Sequence, residues 1–321
     1  MPVLEQILPA HLTARAPVET DAPNILVLIN AYDMVLLGAP DTELDYVFED
    51  WRRPGFSLED DAIVILAGDN QVVGYELILY SHDDGAITAD GYVHPEFNGQ
   101  GIGTYLLGWA EGRGREHLRR LPAGVTGKLR LTVFGHDEKS PPLLTVEGYH
   151  IVRHHWRMEI DMEAPPPAPI LPEGVSIRTF VPGQDEYQTW ETVTHVFEEE
   201  WGMVLLSFED WKAVKFNDPD FDPTLWWLAV AGDQIIGITL GYRRLKMGWI
   251  STFGIRREWR RQGIALALLH HAFREFYALE RKSVGLGVDA QNPTGATRVY
   301  ERAGMHAARV FDTYEKNLTA N

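Results

Sequence analysis

Apolar and polar positions alternate with a changing period along this chain, and the period names the elements in order. Over 11–42, Leu26, Leu28, Ile29, Met34, Val35 and Leu36 recur at helical spacing and predict one or two helices. Residues 62–66 and 72–80 read as strands joined by the turn Gly68-Asp69-Asn70, and 86–93 as a third strand. Helical periodicity returns over 104–115, followed by a strand at 129–133 and a strand pair at 148–160. Residues 1–10 read as a leader or an exchanged arm.

Residues 164–172, Ala-Pro-Pro-Pro-Ala-Pro-Ile-Leu-Pro, can build no core and read as an extended linker. The expected division is therefore a domain over 1–163, a linker over 164–173 and a second domain over 174–321. Beyond the linker the plan repeats. Gly74 recurs as Gly237, Gly101-Ile102-Gly103 as Gly263-Ile264-Ala265, and Gly148-Tyr149-His150 as Gly304-Met305-His306, in the same order and at nearly one offset. The second copy predicts helices at 187–200 and 208–215, the latter capped by Ser207. Strands follow at 225–230, 235–242 and 250–255, then a helix at 265–279, a strand at 283–288, a helix at 294–302 and a strand at 308–314. Such an order gives an α/β fold on a mixed sheet, an α+β arrangement in two copies.

Composition narrows the function. A chain of 321 residues is long enough for two domains that each bury a core. With 46 acidic against 29 basic side chains its formal charge is −17, which argues against nucleic acid or an anionic membrane as partner and mildly favours a cationic small molecule. Cysteine is absent, so thiolate catalysis, disulfides and cysteine-held metal are excluded. No apolar run is long enough to span a bilayer and no secretory leader is evident, so the expected location is cytoplasmic.

The stretch 250–269 carries the chemistry. An apolar strand feeds an arginine-rich turn, and Gly263-Ile264-Ala265 opens an apolar helix. A helix N-terminus at such a turn presents unpaired N–H groups and the positive end of the helix dipole, a cradle for phosphate. The spacing fits neither the nucleoside-triphosphate loop nor the dinucleotide fingerprint. Arg260-x-x-Gly263-x-Ala265 instead resembles the pyrophosphate signature of the GNAT superfamily of N-acetyltransferases. Asn292, Ala296, Tyr300, Gly304 and Met305 resemble a second signature of that family at its spacing.

That resemblance implies two tandem GNAT acyltransferase folds with acetyl-CoA (coenzyme A) as cofactor. Carried onto this sequence, Arg260 and the backbone of Arg261, Gln262, Gly263, Ile264, Ala265 and Leu266 would hold the pyrophosphate. Phe253, Gly254 and Ile255 would offer strand amides to the acetyl carbonyl and the pantetheine arm. Asn292 would cap the following helix or contact the cofactor. Tyr300 would be the general acid toward the leaving thiolate. Read without the family, Asn292 is an N-cap and Tyr300 a packed helix residue.

The implied function is transfer of an acetyl group to an amine by direct attack in a ternary complex, at the second domain. A non-catalytic acyl-CoA sensor is the alternative of another class. The tandem layout also resembles that of mycothiol synthases. Their expected strand glutamate, however, is replaced here by Trp249, which cannot accept a proton. Other bases open to this sequence are Glu198, Glu199, Glu200 and Asp289.

In the first copy Val93, Asn98, Gly99, Gln100, Gly101, Ile102, Gly103 and Thr104 form a weaker version of the cradle. Leu144 stands in place of Tyr300, and Pro141-Pro142 is expected to interrupt the helix there. This copy is expected to lack catalysis. His154-His155 and His270-His271 read as ordinary histidines rather than metal ligands. Trp226-Trp227 reads as a strand with one exposed face, and the acidic, aromatic stretch 216–223 as a packed loop. The acceptor's identity and the oligomeric state are left open.

Overall fold

The structure, a computed structural model, describes residues 8–53, 55–80, 85–122, 125–198, 205–218, 220–244, 247–292 and 295–319. The expected elements at 1–10, Glu199, Glu200, Pro293 and Thr294 lie wholly or partly outside them. The chain forms two compact units, Met1–His154 with Phe311–Asn321, and His155–Val310.

In the first unit β1 (Thr13–Arg15) precedes α1 (Ala22–Leu37), α2 (Leu44–Trp51) and the short α3 (Leu58–Asp61). Then come β2 (Ala62–Ala67), β3 (Gln71–Tyr80), β4 (Ala86–Val93), α4 (Ile102–Leu118), β5 (Gly127–Phe134) and α5 (Ser140–Val146). The second unit repeats the order with β7 (Val175–Thr179), α6 (Glu186–Phe197), α7 (Phe208–Phe216), β8 (Trp226–Ala231), β9 (Gln234–Arg244) and β10 (Met247–Ile255). It continues through α8 (Ile264–Ala278), β11 (Ser283–Asp289) and α9 (Ala296–Arg302). The long strands β6 (His150–Asp161) and β12 (His306–Leu318) follow α5 and α9.

The strand order repeats in the two units. In the first, β1-β2-β3-β4-β5-β12 pair in that order, antiparallel except for the parallel β4–β5 step. In the second, β7-β8-β9-β10-β11-β6 do the same, with β10–β11 parallel. Each unit thus includes a strand segment from the other half of the sequence. Residues 311–318 lie on β5, and residues 155–161 lie on β11. The compact units therefore differ from the division expected at 163 and 174. Of residues 148–160, expected as a strand pair, 150–160 belong to one long strand.

Both faces of each sheet are covered. In the first unit Ile25, Leu28, Ile29 and Val47 of α1 and α2 pack on Val64, Tyr75 and Leu77, while Leu107 and Ala110 of α4 pack on Ile78, Ile87 and Leu129. In the second, Leu268, Leu269, Phe273 and Phe276 of α8 cover Ile236, Ile250 and Leu286. The adjacent Trp226 and Trp227 point to opposite faces, and both are buried. The expectation of an exposed face on β8 is corrected, because Phe180, Trp211, Phe216 and Phe221 pack around Trp226. Burying an aromatic of this size contributes roughly 4–6 kcal/mol by area. The prolines of α5 sit in its first turn, where no helical N–H is needed, so the helix expected to be interrupted is intact.

One local device is repeated. Asp21, just before α1, takes both ends of the Arg15 guanidinium at 2.6 and 2.8 Å and the Val18 N–H at 2.8 Å. Asp185, just before α6, does the same with Arg178 at 2.5 and 2.8 Å and with Val181 N–H at 2.8 Å. The Arg15 hydrogen bonds hold the Asp21 carboxyl below its usual range. Burial works against Asp185, but the Arg178 and Val181 hydrogen bonds still hold it low. The clamp fixes the start of the helix that covers each sheet.

Candidate active site

The parallel strand pair opens in both units. In the second, β10 and β11 pair only from Gly248–Val284 to Ile250–Leu286, yet β10 runs on to Ile255 and β11 to Asp289. An irregularity between Ile250 and Thr252 turns the free part of β10. Phe253, Gly254 and Ile255 pair with Thr239, Ile238 and Gly237 of β9 on one edge, and β11 does not pair with them on the other. The strand amides singled out in the sequence are thus at the fork.

The turn after β10 is tightly held. Arg256, 7% exposed, donates from its guanidinium to Glu191 Oε2 at 2.7 Å and to Thr192 Oγ1 at 2.9 Å, and its N–H reaches Ile236 O at 2.9 Å. Sequence reading missed this residue, since both side-chain partners lie on α6, far away in the chain. Arg260 turns back, its Nε donating to Ile255 O at 3.1 Å, so this signature arginine braces the turn.

Arg261 and Gly263 then take left-handed backbone, φ 65° and 83°. A non-glycine residue in that region costs roughly 1–2 kcal/mol, strain of the sort kept at functional sites. No side chain caps α8, and its first helical bond is Ala267 N–H to Gly263 O at 3.0 Å. The N–H groups of Ile264, Ala265 and Leu266 are therefore left for another acceptor. Gly263 has a positive φ, and a Cβ there would meet no other residue within 4 Å. That open space before three amides fits an anionic group such as a pyrophosphate.

Tyr300, 5% exposed on α9, stands beside the fork with its ring 5.8 Å from that of Phe253. The residue at the N-cap position of α9 is Gly295, and Asn292 donates its N–H to Asp289 O at 3.0 Å. Asp289 accepts the Gln291 N–H at 2.8 Å, and Glu198 ends α6. Trp249 lies against Gly285, with the Arg157 guanidinium 5.4 Å from its ring.

The first unit holds the same backbone at its own turn. Gly99 and Gly101 have φ 78° and 82° where Arg261 and Gly263 stand in the second, and Tyr105 N–H to Gly101 O at 3.0 Å opens α4. Asn98 N–H closes the preceding turn on Pro95 O, Gln100 Oε1 lies 3.3 Å from His11 Nε2, and Ile102 packs beneath Gly74. A Cβ at Gly103 would press on Leu143, while Thr104 lies in the first turn of α4 and Val93 ends β4. Leu144, at the place of Tyr300, is core.

Comparison with known proteins decides the family. Residues 186–305 match the acetyltransferase (GNAT) family and residues 59–132 a GNAT acetyltransferase domain. A GCN5-related N-acetyltransferase from Sphaerobacter thermophilus is 37% identical and superimposes with a TM-score of 0.88 over 97% of both chains. The chain belongs to the GNAT acetyltransferase family.

Within that family it is similar to a mycothiol acetyltransferase of Streptomyces coelicolor, 31% identical over 76% of each chain. The fold alone is shared with a tandem GNAT protein from the clavulanic acid biosynthesis pathway, at 17% identity and a TM-score of 0.73 over 97% of this chain and 99% of the other. The protein is thus an acetyltransferase with two GNAT folds in tandem.

Proposed function

We propose that the second unit transfers an acetyl group from acetyl-CoA to the amine of a small molecule. The placement of Tyr300 against Phe253, at a fork whose neighbouring helix opens on unpaired amides, carries this reading. Acetyl-CoA supplies an activated acetyl thioester. Amides of Ile264, Ala265 and Leu266 hold its pyrophosphate, and the free edge of β10 at Phe253–Ile255 orients the acyl group and donates to the oxygen that gains charge. The amine attacks the carbonyl carbon directly, the carbon–sulfur bond breaks, and the Tyr300 hydroxyl gives its proton to the departing thiolate. The nitrogen's extra proton leaves to water, and the Tyr300 phenolate recovers a proton from water.

The similarity to mycothiol acetyltransferases makes the desacetyl precursor of mycothiol the first acceptor to assay. Trp249 argues against the proton route in which a strand glutamate takes the amine proton. Because the chain has no cysteine, released coenzyme A thiol can be counted without background from the protein. An amine panel including that precursor is expected to give acceptor-dependent thiol release, and acetyl-CoA binding with no turnover on any amine would favour the sensor.

A further inference from the structure

The end of β10 is held by α6. Beyond Ile250 the strand has turned, and β11 does not pair with Phe253–Ile255, so the sheet fixes that segment along one edge alone. α6 supplies a second hold. Val196 rests on Gly254, and one turn earlier Glu191 and Thr192 take the guanidinium of Arg256, the residue that follows Ile255. Its Nη2 donates to Glu191 Oε2 at 2.7 Å and to Thr192 Oγ1 at 2.9 Å, and its Nε lies 3.2 Å from the same hydroxyl oxygen. Thr192, itself buried, donates to Gln188 O at 2.8 Å, and Gln188 Oε1 accepts the Ile235 N–H of β9 at 3.2 Å. The helix is thus anchored on β9 where it grips the end of β10.

Three residues change together between the copies. Counted from the clamp aspartates Asp21 and Asp185, Leu28 and Val27 of α1 stand where Thr192 and Glu191 stand in α6. Leu28 is core and Val27 is 65% exposed, and neither side chain can accept a hydrogen bond. His94 stands where Arg256 does. Its N–H makes the matching backbone bond, to Val73 O at 2.9 Å, but its Nδ1 accepts the Glu96 N–H inside its own turn. A need common to the fold would appear in both copies, as the backbone bond does; the guanidinium tie goes with Tyr300. A guanidinium only 7% exposed is costly to leave without partners, so its acceptors set where it lies.

We propose that Arg256 is a positioning residue for the acetyl transfer: tied to Thr192 and Glu191, it holds the free edge of β10 at the angle at which the Phe253–Ile255 amides meet the acyl oxygen. This role rests on the transfer reading of the second unit and needs no contact between Arg256 and acetyl-CoA.

Acetyl-CoA labelled with 13C at the acetyl carbonyl reads the edge directly, because N–H groups that donate to that oxygen lower its infrared stretching frequency. Binding to the full chain is expected to lower the band. Arg256→Lys keeps the charge but loses the fork that spans both acceptors, and Thr192→Val removes one acceptor without touching the turn. Each should return the band toward its position in free acetyl-CoA and lower kcat by about 10- to 100-fold, as a small misplacement does. Affinity for acetyl-CoA, assigned to the amides before α8, should stay within about threefold. In the double variant the second change should add less than about twofold to the first. Glu191→Gln, at the exposed end of the tie, should move the band and kcat the same way by less. A lowered band that stays lowered in Arg256→Lys and Thr192→Val, additive losses of kcat, or acetyl-CoA affinity that falls in step with kcat would overturn the role of Arg256. A wild-type band at the free position would overturn it too, and together with no acetylated amine would also remove the transfer reading.

Discussion

The two copies share a turn and differ in what stands over it. Gly101 and Gly263 have nearly the same backbone, φ 82° and ψ −1° against φ 83° and ψ −7°, and both open an uncapped helix. At the fork the side chains diverge. Tyr32 meets Tyr92 in the first copy, whereas at the matching places of the second Val196 rests on Gly254. Asp90 stands on the Tyr92 face of the first fork and Glu76 on the opposite face; Thr252 and Thr239 stand in the corresponding register of the second. On the proposed function, backbone geometry alone would therefore not make a catalytic copy. What separates them is small, uncharged packing over the second fork with Tyr300 beside it, against aromatic and acidic packing over the first.

The largest test of this contrast is Gly263→Val. A branched side chain at φ 83° strains the turn and puts methyl groups into the open space before the amides. Affinity for acetyl-CoA, measured by calorimetry, should fall by roughly 100-fold or more, about 2.7 kcal/mol. Unchanged affinity would remove the cradle from the account.

Gly254→Ala comes next. Its Cβ would collide with Val196, and overpacking of this kind costs typically about 1–3 kcal/mol. Denaturant unfolding should show that loss, and Val196→Ala should restore part of it as a coupling of roughly 0.5–3 kcal/mol. Additive effects would mean that the close Val196–Gly254 fit does not define the second fork.

Much of this was legible in the chain. Helical spacing after Gly101 and Gly263, with strands before them, located both strand–turn–helix junctions because glycine and periodicity are local signals. The exchange of β6 and β12 was not legible, since an alternating strand pattern does not say which sheet edge it will join. The hydrogen bonds that Tyr46 and Tyr92 donate to Asp90 were equally hidden, because α2 and β4 meet only in the folded unit. The Arg15–Val18–Asp21 and Arg178–Val181–Asp185 clamps were present in the sequence, but one extra residue in the second hides the repeat.

Those clamps should make the copies behave alike. Asp21→Asn and Asp185→Asn are each expected to cost about 1–3 kcal/mol, as loss of a charge-assisted pair does. Both carboxyls are held low in the fold, so this stability is present above the unfolded carboxyl range and is lost as pH falls below it. Urea midpoints across acid pH check this, and a strong effect in only one copy would break the symmetry.

The smallest effect is expected at Glu76→Gln. Burial holds the Glu76 carboxyl well above its usual range. Its stability contribution is therefore complete below the unfolded value and declines as pH rises toward the folded one. The amide should raise the stability at neutral pH by about 1 kcal/mol, read as a higher melting temperature, and flatten that decline. No change would mean that Glu76 is already relieved of its charge by a partner.

Tyr300→Phe measures the central claim most directly. Thiol release and acetyl-CoA binding are followed on the same variant with an acceptor that the wild-type chain acetylates. Loss of a general acid predicts a fall in kcat of about 10²–10⁴-fold with acetyl-CoA affinity within about twofold of wild type. An unchanged kcat, or a loss explained wholly by weaker acetyl-CoA binding, would contradict the assignment of Tyr300 as the proton donor of the second copy.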